Sequence, residues 1–118
     1  MAFPTGTGSE RIKYTKLDDI DATTQALITG VALHIYTVVS IIVTELSGSA
    51  ESFQISITDS NGSSNPCYVI YDQALAGYDT FVLSDRFSFD GDKKIMIGST
   101  TGPANFDAVC TYIDQDWT

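Results

Sequence analysis

The chain has 118 residues, 43 % of them apolar, with a formal charge of −9 and an isoelectric point near 4.1. That length fits one domain able to bury a core without metals or multiple disulfides, and the apolar content excludes global disorder. The acidic balance argues against nucleic acid, which needs a basic footprint, and against anionic membranes; contacts between copies must be apolar enough to outweigh charge repulsion.

Residues 1–16 read as an extended N-terminal arm and residues 17–118 as the folded domain. Pro4, Gly6 and Gly8 keep the start of the arm irregular, and residues 11–17 read as a short strand at its end. Arg11, Lys13 and Lys16 are half of the six Lys and Arg residues, so the arm is locally basic ahead of an acidic body. The opening MAFPTGTGSE has neither a basic n-region nor an apolar h-region, so no export signal is expected. Cys67 and Cys110 are therefore expected to be reduced and buried, and the Asn61-Gly62-Ser63 sequon to be incidental.

Asp18, Asp19 and Asp21 form a turn, and residues 26–29 a short strand ended by Gly30. Residues 31–46 (VALHIYTVVSIIVTEL) are the most informative stretch. Their β-branched content favours a strand, and they are too short and too polar to span a membrane. Simple alternation puts Val31, Leu33, Ile35, Val39, Ile41 and Val43 on one face, and Tyr36, Val38 and Ile42 on the other. The odd-numbered face is expected to meet Phe53, Ile55 and Ile57 in the core. The even-numbered face then needs another cover, and a second copy of the chain would provide it.

Residues 51–59 alternate cleanly as a half-buried strand. Residues 59–66 are a polar turn with a hairpin signal at Asn61-Gly62, and residues 67–72 the next strand. Residues 74–77 connect to a strand or strand pair over 80–89, broken near Ser84-Asp85. Asp90-Gly91-Asp92 turns into a strand over 93–98, residues 99–103 form a loop, and residues 106–113 close the fold, leaving a tail that carries Trp117. About eight short strands and no convincing helix predict an all-β fold: an antiparallel β-sandwich, jelly-roll-like in its packing.

The chemistry-bearing residues do not assemble into a catalytic pattern. His34 is the sole histidine, placed mid-strand, where an interface or surface role outweighs catalysis. His34, Cys67 and Cys110 are too scattered for zinc. Asp59, Asn61, Ser63 and Asn65 alternate oxygen donors, but the glycine is misplaced for a calcium loop and no Glu closes it. The expectation is no enzymatic activity, no metal and no cofactor. Tyr36, Tyr68, Tyr71, Tyr78, Tyr112 and Trp117 suit interfaces or sugar stacking. Alternation puts Tyr68 and Tyr71 on opposite faces of their strand.

Over residues 23–113 the chain resembles the small single-domain β-sandwich virion proteins of tailed bacteriophages. Gly77, Thr80, Leu83, Phe87, Gly91-Asp92, Ile95 and Ile97 carry the likeness, within AGYDTFVLSDRFSFDGDKKIMIGS. The longer arm and the acidic balance depart from that pattern. The resemblance implies a capsid decoration (cement) protein, or an accessory part of a tail or baseplate, often trimeric. The expected role is mechanical: a homo-oligomer located in the virion, bridging subunits of the major capsid protein. Phe3, Arg11, Lys13 and Tyr14 would anchor the arm, and Tyr36, Val38 and Ile42 would carry self-association. The alternative is a receptor- or glycan-binding module using residues 61–65 and 100–105 with Trp117 or Tyr78.

Overall fold

The computed structural model describes residues 8–21, 24–59, 65–100 and 105–118. Nine strands run through them: β1 (Ser9–Ile20), β2 (Gln25–Thr29), β3 (His34–Glu45), β4 (Glu51–Asp59), β5 (Cys67–Leu75), β6 (Thr80–Leu83), β7 (Phe87–Asp90), β8 (Lys93–Ser99) and β9 (Phe106–Asp116). All pairings are antiparallel. One sheet has the order β1-β9-β3-β6, with β7 also on β3; the other has the order β2-β8-β4-β5. The short strands β6 and β7 pair with successive halves of β3, so together they fill the place of one strand. The result is an eight-position jelly roll with one position broken at residues 84–86.

The core lies between the sheets. Phe53 of one sheet meets Phe81 and Phe106 of the other edge-on, at ring-centroid distances of 5.4 and 5.8 Å. Ile55, Ile95 and Ile97 face Ile41, Val43, Ala108 and Cys110 within the same fully buried cluster. Two glycines of the virion-protein likeness act through space rather than chemistry. A Cβ on Gly91 would overlap the Val31 carbonyl, and one on Gly77 the Gly48 carbonyl, so each position tolerates only a hydrogen.

Strand β3 departs from simple alternation. Its pairing with β9 shifts between Val38 and Ser40, leaving Val39 as an extra residue opposite the break between β6 and β7. Such a bulge turns one strand half over relative to the other. In the first half the even residues Tyr36 and Val38 point inward; in the second half the odd residues Ile41 and Val43 do. The expected split into an odd core face and an even interface face is thereby corrected. Tyr36 and Val38 are 3 % and 0 % exposed, sealed in the chain's own core, and self-association cannot use them. Val31 and Leu33 precede the strand at a turn and are exposed; Leu33 holds a φ of 66°.

The boundary drawn at Lys16 also moves. From Ser9 onward the expected arm is strand β1, registered against β9 from Ser9–Asp116 to Ile20–Phe106. Residues 1–7, with Phe3, lie outside the described residues. β9 likewise runs on to Asp116, past the end at Ile113 that the sequence suggests.

Candidate assembly surface: the outer face and free edge of the five-stranded sheet

With the bulge in place, the outer face of this sheet can be read row by row across its strands. Ile12, Ile113, Thr37 and Ser88 form one row, and Tyr14, Thr111 and Ser40 the next. Lys16, Val109, Ile42 and Val82 form a third. Directly opposed residues stand about 5 Å apart, so the three apolar members of the third row touch in sequence. Exposure rises toward the β1 edge: 38 % for Ile42 and Val109, but 70 % for Tyr14 and 78 % for Ile12. Val82, at the other side, is 55 % exposed. The face thus carries an apolar row at Val109, Ile42 and Val82 and an apolar group at the β1 edge, with Thr37, Ser40 and Thr111 between them, on an acidic protein; exposed apolar clusters rimmed by polar residues mark interaction surfaces. Of the expected self-association residues, only Ile42 belongs to it. Tyr14 joins it from the expected anchoring set.

β1 is also an edge strand, paired on one side by β9 and on the other by nothing among the described residues. Its residues Ser9–Tyr14 are exposed on both faces. A long open edge presents unpaired N–H and C=O groups to any incoming strand.

On the inner face of the same strands, at the end away from the β3–β4 turn, the polar residues converge. Asp114, with its side chain 5 % exposed, accepts hydrogen bonds from Lys13 Nζ (2.8 Å) and His34 Nδ1 (2.7 Å), and His34 Nε2 lies 3.3 Å from Asp116 Oδ1. Ser9 and Arg11 complete the lining of a pocket of about 90 Å³ there. Burial pushes the Asp114 carboxyl up, but the hydrogen bonds from Lys13 and His34 outweigh it, leaving it below the usual carboxylate value of 3.8. The Lys13 ammonium is raised by the same hydrogen bond to Asp114. Both ring nitrogens of His34 therefore face carboxylates. Lys13 and Arg11 thus face this pocket, while Tyr14 points outward: the expected anchor set is divided between two faces.

A second polar centre fixes the turn after β3. Glu45 is fully buried, yet its carboxylate accepts from Gly48 N–H (2.7 Å) and the Ser47 hydroxyl (2.9 Å). Burial drives its carboxyl up; the amides of Ser47, Gly48 and Tyr78 together with that hydroxyl hold it below 4.5. Ser47 Oγ also lies 2.5 Å from Glu51 Oε1.

The remaining aromatics and cysteines fall differently from expectation. Tyr68 and Tyr71 share a side, with their rings 4.8 Å apart and edge-on. β5 carries extra residues where its register with β4 shifts, and Asp72 there has a φ of 53°. Cys67 is exposed, contrary to expectation. Cys110 is buried, and burial pushes its thiol up to about 12. Of the loops in the glycan alternative, residues 61–64 and 101–104 lie outside the described residues; Tyr78 is 76 % exposed and Trp117 partly buried.

No family model matches the chain, and no curated protein does. Solved structures match it throughout. A subunit of the Bacillus endospore appendages, a family of disulfide-linked pili, superposes with a TM-score of 0.59 over 100 % of this chain and 97 % of that one, at 15 % identity. The CBM22-1 xylan-binding domain of Paenibacillus barcinonensis Xyn10C gives 0.54 over 98 % and 89 %, also at 15 % identity. A chain of the capsid of Helicobacter pylori bacteriophage KHP30 gives 0.52 over 95 % of both chains, at 9 % identity. At such identities what is shared is the fold, a jelly-roll sandwich found in capsids, a pilus and a sugar-binding module.

Proposed function

We propose that this chain is a structural protein of a bacteriophage particle, located in the virion, and that it decorates the capsid by bridging subunits of the major capsid protein. The observation that carries the reading is the apolar outer face of the five-stranded sheet, from Ile12 and Tyr14 through Val109 and Ile42 to Val82, on a chain whose net charge is −9. Such a face on a soluble acidic domain fits a permanent protein partner. The resemblance to phage virion proteins and the fold shared with a phage capsid chain support it. The role is mechanical and involves no catalytic step. Repetition at symmetric capsid positions turns modest contacts into firm attachment through avidity.

The test is saturable co-sedimentation of the purified chain with heads that lack it. Ile42→Glu should weaken binding at least tenfold without altering the melting temperature. Full-strength binding by Ile42→Glu would remove the outer face from the mechanism, and binding to tails alone would relocate the protein to the tail.

A second reading, a glycan-binding module, is favoured by the exposed aromatics Tyr68 (44 %) and Tyr71 (67 %) and by the fold shared with a xylan-binding domain. Tyr71→Ala would then abolish reproducible hits on a glycan array. An array without hits removes this reading.

A further inference from the structure

We propose that the open edge of β1 takes an acidic, extended segment of the capsid partner as an added strand. The inference rests on the capsid reading and deepens it by naming where the partner's segment docks and what chemistry that segment carries.

Three observations single out this edge. β1 is registered against β9 without interruption from Ser9 to Leu17, and nothing among the described residues pairs its other side. At about 3.4 Å per residue that leaves roughly 30 Å of edge, along which alternate N–H and C=O groups point outward unpaired. The register shifts beyond Leu17 and Asp19 holds a φ of 55°, so the regular edge ends there. The second observation is exposure. Ile12 and Tyr14 are 78 % and 70 % exposed within a sheet, with no strand beside them on the edge side. An added strand would bring its own outward side chains within about 5 Å of them.

The third observation is charge. Arg11, Lys13 and Lys16 are half of the 6 Lys and Arg residues, and from Glu10 to Lys16 only Glu10 is acidic, on a chain with 15 Asp and Glu. Glu10 is engaged by Gln115 and Lys13 by Asp114, at 2.6 and 2.8 Å. Arg11 and Lys16 make no ion pair or side-chain hydrogen bond among the described residues. The edge is a basic strip on an acidic body, so it complements an acidic occupant. The strand is a poor partner for itself, because antiparallel overlap of two copies opposes Lys13 to Lys16 and Glu10 to Asp19. Alternation puts Arg11 on the inner face and Ile12, Tyr14 and Lys16 on the outer one. A matching segment carries an acid opposite Lys16, apolar residues opposite Tyr14 and Ile12, and a second acid opposite Arg11. Laid antiparallel, it reads acid-x-apolar-x-apolar-acid, with its two acids on opposite faces.

Hydrogen exchange along β1 of the full chain tests this, on heads that lack the protein and, separately, with a synthetic peptide of that pattern and its counterpart carrying Lys in both acid positions. In an open edge strand only alternate amides are bonded, so every second one exchanges fast; an added strand slows consecutive amides. On heads, the expected result is slow exchange from Ser9 to Leu17 and binding that weakens as salt rises. Arg11→Glu with Lys16→Glu should weaken that binding at least about tenfold, whereas Arg86→Glu with Lys94→Glu, an equal change in net charge, should leave it within about twofold. Heads bound with alternate β1 amides still fast, or equal losses in the two double variants, would overturn edge docking and leave the capsid role standing. No binding of the parent chain to heads would remove the capsid role, and the peptides then decide the edge. Slowing of β1 by the acidic peptide but not by its Lys counterpart supports the site; no slowing, or equal slowing by both, overturns it.

Discussion

The two faces of the five-stranded sheet are built from the same strands and both carry apolar side chains, yet they do different work. On the inner face, Tyr36, Val38, Ile41, Val43, Phe106 and Cys110 are sealed against the opposite sheet. On the outer face, Ile12, Tyr14, Ile42, Val82 and Val109 remain in contact with solvent. Ile41 and Ile42 are chain neighbours, 0 % and 38 % exposed, and the difference between folding and association turns on which side of one bulge each falls. An apolar side chain does not declare its use; its place in the register does.

Deleting Val39 should have the largest effect on this contrast. It removes the extra residue and restores strict alternation, so one half of β3 must present its core side chains to solvent. The expected outcome is loss of the cooperative thermal transition followed by circular dichroism. A deletion variant that melts like the parent would mean the bulge does not set the two faces.

Ile41→Ala should lower stability by about 2–5 kcal/mol in urea unfolding, whereas Ile42→Ala should stay within about 0.5 kcal/mol and show its effect on head binding. Comparable losses at the two positions would erase the distinction between the faces.

Replacing the buried Glu45 by Gln keeps its volume but turns one acceptor toward donors, and is expected to lower stability by about 1–3 kcal/mol. Its pH dependence has a definite sign. The carboxyls of Glu45 and Asp114 are held below their ordinary values of 4.5 and 3.8. Their contribution is therefore complete above those values and lost as pH falls through the lower folded-state values. Stability should decline on acidification below about pH 4, and Asp114→Asn should make that decline shallower.

The smallest effect is chemical. A thiol reagent should label one cysteine of the native protein, Cys67, and reach Cys110 only on unfolding, because the latter is buried and its thiol raised to about 12. Labelling of both in the native state would show that the inner face opens.

Much of the architecture was legible in the residues. The β-branched run at 31–46, the alternation of Phe53 with Ile55, the break at Ser84-Asp85 and the turn at Gly91 each follow from local chemistry, and each falls where expected within a few residues. The candidate surface was legible in part. Ile42 and Tyr14 stand out in the sequence, and Ile12 with Tyr14 and Val109 with Ile113 follow the spacing of one strand face. Tyr36 and Val38 were misplaced because a bulge leaves no mark in a run of Val and Ile. It arises from β9, β6 and β7 meeting β3 together.

The sequence by itself determined that this is an all-β domain of about eight strand positions with a surplus of apolar strand surface, since side-chain stiffness, turn residues and composition are local properties. Only the tertiary structure decided where that surplus lies. Facing depends on register, and register is set by partners distant along the chain, as when Ile12 meets Ile113 and Ile42 meets both Val109 and Val82. The same pairing turned the basic stretch of an expected arm into an edge strand, with one side fixed by β9 and the other left open.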